Sequence, residues 1–156
     1  VGGALQLSPI VAPTAEVQEF ALAPSSAHVA FGLLDPTLTV PASALHVVPT
    51  AGGPSRLLHP RGNGLTFAPE SELVLFLGRG DDPNTTELYQ ARVDGSRPTR
   101  SLSGPLATDS HVLEFLVTPG GERAVYLADQ EANDVFELFA AFLERTARRS
   151  SSPVVR

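Results

Sequence analysis

Leu65-Thr-Phe-Ala-Pro69, followed five residues on by Val74-Leu-Phe76, is one of three copies of the same phrase in this chain. The others are Phe20-Ala-Leu-Ala-Pro24 with Val29-Ala-Phe31, and Phe115-Leu-Val-Thr-Pro119 with Ala124-Val-Tyr126. The prolines at 24, 69 and 119 are 45 and then 50 residues apart. A period in that range belongs to solenoids, propellers or arrays rather than to one irregular domain. A second phrase keeps step with the first, as Ala44-Leu-His46, Glu87-Leu-Tyr89 and Glu137-Leu-Phe139.

Inside each copy the apolar residues alternate with period two, as in Val17-Gln-Glu-Phe20-Ala-Leu22 and Glu87-Leu-Tyr-Gln-Ala-Arg-Val93, without helical spacing. These stretches, and Leu73-Val-Leu-Phe76, are expected to be short strands. Turn formers separate them: Pro24-Ser-Ser, Pro69-Glu-Ser and Pro119-Gly-Gly, then Gly52-Gly53 or Asp94-Gly95. Ser55-Arg-Leu-Leu58 and Thr99-Arg-Ser-Leu102 supply a fourth strand. Four antiparallel strands per repeat describe a β-propeller blade. A sandwich also spaces strands regularly, but it has no reason to repeat one proline and one Leu-aromatic step at equivalent places. The expected fold is therefore all-β, a partial propeller of about three four-stranded antiparallel blades.

An apolar strand closing on a Pro turn, an apolar triplet, a polar loop, Glu-Leu-Tyr or Glu-Leu-Phe, and a Gly-Gly or Asp-Gly turn resemble the TolB-like propeller repeat. Val125-Tyr-Leu-Ala-Asp-Gln-Glu-Ala-Asn-Asp-Val-Phe-Glu-Leu-Phe139 carries the likeness most fully, and about residues 5 to 139 take part. The resemblance implies a blade of a larger, repeat-rich bacterial protein, periplasmic or extracellular. It says little about activity, because such blades serve as binding platforms, peptidase lids and scaffolds. Two departures stand out. The aspartate of the family's Ser-Pro-Asp-Gly turn is missing from all three copies, although the turn can still form. After Phe139, Ala140-Ala-Phe-Leu-Glu-Arg-Thr-Ala-Arg-Arg149 offers helix formers and no turn, compatible with a helix, a frayed tail or a reading-frame scar.

Leu7 to Val17 lines up with Leu102 to Val112, so the chain is expected to begin inside a preceding blade. The boundaries read as 1–16 for the end of that blade, 17–58 and 59–110 for two whole blades, 111–139 for an incomplete third, and 140–156 for a divergent tail. Three blades fall short of the roughly four to eight that close a ring. Further blades or self-association are expected, with apolar side chains such as Phe20, Leu22, Phe115 and Val117 partly uncovered at the ends. Phe31, Phe76 and Tyr126 share one repeat position and are expected in the core.

Composition narrows the chemistry. The 156 residues, 42% hydrophobic, can bury a sizeable core, and no apolar run approaches the length of a membrane span. Val1-Gly2-Gly3 lacks the basic start of a signal peptide, and a sequence without methionine reads as a mature product or an excised fragment. Without cysteine there is no thiolate nucleophile, disulfide or cysteine-ligated metal within the chain. All 11 basic residues are arginine, which removes lysine Schiff bases and a phosphate-loop lysine. A formal charge of −6 opposes phosphate backbones and anionic lipid, so nucleic acid and bilayers are poor partners.

No catalytic, cofactor-binding or metal-binding residue is assigned. Glu19 and Glu114 share one repeat position and Glu87 and Glu137 another; a carboxylate that recurs per repeat serves the blade before it serves a single active site. His28, His46, His59 and His111 lack metal-site spacing, and His46 stands where Tyr89 and Phe139 stand in the other copies. Ser25, Ser26 and Ser71 fall in turns rather than in a Gly-x-Ser-x-Gly elbow. The loop from Gly78 to Glu87 gathers acidic residues that could hold calcium, without the EF-hand order. It also contains Arg79-Gly-Asp81 and the acceptor Asn84-Thr-Thr86, read as chance and as conditional on a secretory route. Arg145, Arg148 and Arg149 form the one basic cluster, read as a solvated tail. The leading expectation is a non-enzymatic interaction or scaffold module that binds a protein partner through the loops Asp35–Ser43, Gly78–Thr86 and Asp129–Asp134. The alternative is the lid portion of a larger serine peptidase or other hydrolase.

Overall fold

The computed structural model describes residues 3–9, 14–36 and 42–144. The Arg145, Arg148 and Arg149 cluster, the centre of the Asp35–Ser43 loop and part of the Leu7–Val17 match lie outside the described residues. Eleven strands form three antiparallel sheets, and no helix occurs among the described residues. The first sheet runs β1 (Glu16–Leu22), β2 (His28–Asp35), β3 (Ala42–Pro49), β4 (Arg56–His59) in that spatial order. The second repeats it with β5 (Gly62–Phe67), β6 (Leu73–Gly78), β7 (Glu87–Arg92) and β8 (Arg100–Ser101). The third has β9 (Val112–Val117), β10 (Arg123–Ala128) and β11 (Glu137–Phe142).

Each first connection is made by the proline turn. Ser26 N–H donates to Ala23 O at 2.8 Å, Ser71 N–H to Ala68 O at 3.3 Å, and Gly121 N–H to Thr118 O at 2.8 Å. The left-handed residue that the turn needs is Ser26, Glu70 or Gly121, with φ of 61°, 52° and 66°. The missing aspartate is replaced locally. The hydroxyls of Ser25 and Ser71 accept the backbone N–H two residues on, from Ala27 and Leu73.

Two apolar clusters fill the gaps between the sheets. Ala30, Leu45, Val47 and Leu58 of the first sheet meet Val74, Phe76 and Ala91 of the second. Leu73, Leu75 and Leu88 of the second meet Val112, Ala124, Tyr126 and Ala128 of the third. This explains a difference between equivalent strands. β6, covered on both faces, is almost continuously apolar and buried, whereas β10 alternates because only one of its faces is covered. Phe31, Phe76 and Tyr126 are all buried, as their repeat position predicts. Each stacks on its cross-strand partner, His46, Tyr89 or Phe139, with centroids 5.5, 5.8 and 5.6 Å apart.

Polar ties join the same sheets. The Glu19 carboxylate accepts the N–H groups of Gly64 and Leu65, each at 3.0 Å, and His28 Nδ1 lies 3.1 Å from Glu72. Arg56 donates to the carbonyls of Arg92 and Val93. At the next junction Glu144 receives Arg92 at 3.1 Å and Arg97 at 2.7 Å, while its N–H donates to Gln90.

Two expectations are corrected. Phe115 and Val117 are only half-buried, but the face they lie on is not an open end: they pack against the cluster between the second and third sheets. Period two puts 115 and 117 on the face toward the preceding sheet, and leaves Leu116 on the open one. The stretch after Phe139 does not start as a helix or a tail, because Ala140 and Ala141 pair with Val125 and Ala124 and β11 continues to Phe142.

Candidate functional site

The loops at one end of the strands are tied together by their own backbone. Thr86 of the β6–β7 loop forms a parallel bridge with His111, before β9; its N–H donates to Ser110 O at 3.4 Å and its carbonyl accepts Val112 N–H at 2.7 Å. From the β10–β11 loop, the buried Asp129 carboxylate accepts the N–H groups of His111 and Asp134. Burial pushes the pKa of Asp129 up, but those two donors outweigh it and hold the carboxyl below its usual value. Ser110 Oγ completes the link, 3.3 Å from Asn133 Oδ1.

Three clefts open around this knot, and Arg79 lines all of them. A cleft of about 210 Å³ lies between the first and second sheets, with Arg61, Asn63 and Ser43 on its walls. Another of about 390 Å³ adds Asn84, Asp109 and His111. The widest, about 820 Å³, is walled by His59, Asp81, Asp82, Glu87, Tyr89 and Arg100. Both signs of charge are interspersed here, and Arg79 is exposed. Such a surface suits a polar polypeptide better than an apolar small molecule.

The sequence-flagged residues distribute unevenly over this face. Gly78–Thr86 and Asp129–Asp134 meet there through Thr86, His111 and Asp129. In the first of these loops Asp82 Oδ1 accepts Asn84 N–H at 2.9 Å, which leaves Asn84 exposed at the tip. No group of three or more His, Asp or Glu among the described residues is gathered as a metal site. His59 packs tilted against both rings of the Phe76–Tyr89 stack, and Arg61 N–H donates to its Nδ1 at 3.1 Å. Burial lowers the pKa of His59, opposed by Glu87, and burial lowers that of His46. Tyr89 is pushed up to about 12, by burial and then by Glu87, so it stays a neutral phenol. Glu19 ties two sheets, whereas Glu114 at the same repeat position is exposed. Ser25 and Ser71 are engaged in their turns. The Asp129 clamp was not named from sequence residue by residue; its one signal was the polar loop around it, since backbone donors carry no side-chain signature.

No protein-family model and no curated protein matches the chain. Solved structures do. An oligogalacturonate lyase in complex with manganese superposes with a TM-score of 0.62 at 13% identity, over 85% of this chain and 40% of its own. TolB from Acinetobacter baumannii gives 0.53 at 16% identity, over 80% and 29%. The β-propeller domain of the trilobed protease from Pyrococcus furiosus, described as an open velcro topology, gives 0.55 at 10% identity, over 75% and 35%. The fold is a partial TolB-like β-propeller. The three sheets are its blades, and the chain spans less than half the length of each of these matches. At such identities the likeness concerns the fold alone. As a propeller module it carries no helix, among the described residues, that is long and apolar enough to cross a membrane.

Proposed function

We propose that this chain is a non-enzymatic β-propeller segment that works as a protein-interaction or scaffold module within a larger bacterial repeat protein, periplasmic or extracellular. The blade units run 17–58, 59–110 and from 111 onward, with 1–16 closing a preceding blade and the tail beginning beyond β11. The observation that carries this reading is the loop face. Three loops are locked to one another by Thr86, Ser110, His111 and Asp129, and they present mixed-charge clefts around Arg79. A rigid, polar, shallow surface favours recognition of a protein partner over enclosure of a substrate.

A second reading, the lid portion of a larger hydrolase, is favoured by the likeness to a Pyrococcus horikoshii acylaminoacyl peptidase, where the match covers 19% of that chain. Two measurements separate the readings. The isolated chain is assayed against peptide, ester and oligosaccharide substrates, where the module reading expects no turnover and any turnover that survives purification overturns it. The parent gene is read through: further blades to its end support the module, and an adjoining α/β-hydrolase domain replaces it with the lid.

A further inference from the structure

Of the seven arginines among the described residues, four are engaged within the chain. Arg56 donates to the carbonyls of Arg92 and Val93, Arg92 and Arg97 meet Glu144, and Arg123 lies over the Phe142 ring. The other three, Arg61, Arg79 and Arg100, are exposed, and their guanidinium groups have no partner among the described residues. All three line clefts of the loop face, and Arg61 and Arg79 share the one between the first and second blades.

These two form a like-charge pair. Gly62 pairs with Gly78, and the next rung sets Arg61 opposite Arg79, whose N–H donates to Arg61 O at 3.0 Å. Directly opposite residues of an antiparallel ladder project from the same face, where like charges repel. The other blades show that the fold does not require this. Ten residues after the prolines at 24, 69 and 119 stand Leu34, Arg79 and Asp129, and eight before them Glu16, Arg61 and His111. In the first blade Glu16 faces an apolar Leu34. In the third, Asp129 N–H donates to His111 O as Arg79 N–H does to Arg61 O, but the Asp129 carboxylate is taken up by the N–H groups of His111 and Asp134. The middle blade alone of the three sets two cations face to face and leaves both without a counter-charge among the described residues.

Their cleft holds about 210 Å³, below the roughly 300–1,000 Å³ of a small-molecule site. Its walls come from two adjacent blades of the chain itself, with Ser43, Asn63 and Thr86 beside the arginines and no carboxylate among the described lining residues. Beyond Arg79 the surface turns acidic, with Asp81, Asp82 and Glu87 in the adjoining cleft and Asp109 in another. Those groups and the formal charge of −6 oppose a polyanion, whereas a guanidinium pair matches the two oxygens of one carboxylate. We propose that Arg61 and Arg79 together seat a carboxylate side chain from an acidic segment of a protein partner, in the cleft between the first and second blades. The inference rests on the module reading above and names the chemistry of the partner.

The arginine Nε–H signals of the full chain, followed by NMR at constant ionic strength, test it. The probes are a Gly-Ser peptide with central glutamates and blocked ends, the same peptide with glutamines, and inorganic phosphate. The glutamate peptide is expected to move the Arg61 and Arg79 signals to saturation and to leave those of Arg56 and Arg100 in place; the glutamine peptide is expected to move none. Arg61→Gln and Arg79→Gln change exposed side chains, so the fold survives, as the thermal midpoint checks. Each should weaken peptide binding roughly ten- to hundred-fold, as loss of a charge-assisted bond does. Arg100→Gln removes the same charge from the same loop face and should leave binding unchanged, which separates the pair from the general field. Equal weakening by all three variants, equal responses to both peptides, or no response to the glutamate peptide overturns the proposal. Phosphate that saturates both arginines where the glutamate peptide does not overturns it as well, and makes the cleft a site for a free anion. Each of those results leaves the interaction-module reading standing, while turnover by the chain removes that reading and leaves carboxylate binding by the pair untouched.

Discussion

The ring of Phe76 stacks on that of Tyr89 with centroids 5.8 Å apart, across the central strands of the middle blade. Phe31 with His46 and Tyr126 with Phe139 repeat the pair at interplanar angles of 15° and 23°. One cross-strand stack per blade is the structural counterpart of the sequence period, and it ranks the three core aromatics. Phe76 belongs to the cluster between the first and second blades and Tyr126 to the one between the second and third, whereas Phe31 belongs to neither. Phe76→Ala is expected to cost about 3–5 kcal/mol and Phe31→Ala the least. Urea denaturation of the three single variants measures this, and equal small losses would mean that the rings do not sit between blades.

Gly62 sits where the first blade leans on the second. A Cβ there would stand 2.6 Å from Leu45 Cδ1 and 2.7 Å from the carbonyl oxygen of Leu77. A methyl can push aside the leucine but not the backbone. Gly62→Ala is expected to destabilise by about 1–3 kcal/mol, as overpacking does. Gly3→Ala, where the space is open, is the control and should leave the thermal midpoint unchanged.

His46 Nδ1 is buried without a hydrogen-bond partner among the described residues, in a position that Tyr89 and Phe139 occupy in the other blades. His46→Phe removes that unpaired atom and keeps the stack on Phe31, and is expected to stabilise by about 1 kcal/mol. The same histidine, with His59, has its pKa lowered by burial in the folded chain. Between the lowered folded value and the ordinary 6.5 the unfolded chain binds more protons, so stability is full above pH 6.5 and declines as pH falls below it. Urea midpoints at pH 7.5 and 5.5 should therefore differ, and His46→Phe should reduce the difference.

Asp129 is buried and holds two backbone donors. Asp129→Ala leaves those donors unpaired and is expected to cost about 1–3 kcal/mol. Amide exchange of His111 and Asp134 should quicken beyond what that global loss explains, because the loop knot opens locally. Its folded pKa is depressed, so the contribution is present above the ordinary carboxylate range and lost as pH falls through the folded value.

Much of the fold was legible because a blade is a local object. Proline turns, alternating strands and the Leu-aromatic step lie within one repeat, and their recurrence at 24, 69 and 119 reinforced each reading. Contacts between blades were less legible. Phe115 and Val117 were expected at an open end, yet they face inward, because which face of a sheet is covered depends on the side where its neighbour stacks. Glu19 was readable as a recurring carboxylate but its partner was not, since Gly64 and Leu65 contribute only backbone N–H groups. The loop face was flagged by polarity alone; the meeting of Thr86, His111 and Asp129 depends on the stacking of two blades.

Three successive repeats stack as consecutive blades, each burying its neighbour's face. Nuclear Overhauser contacts from the Phe76 ring test it most directly, because that ring belongs to the second repeat and its apolar cluster to the first as well. Cross-peaks from Phe76 to methyl groups of Ala30, Leu45 or Val47 are expected. A Phe76 ring that contacts only residues of its own repeat, 59–110, with no cross-peak to the first, would contradict it.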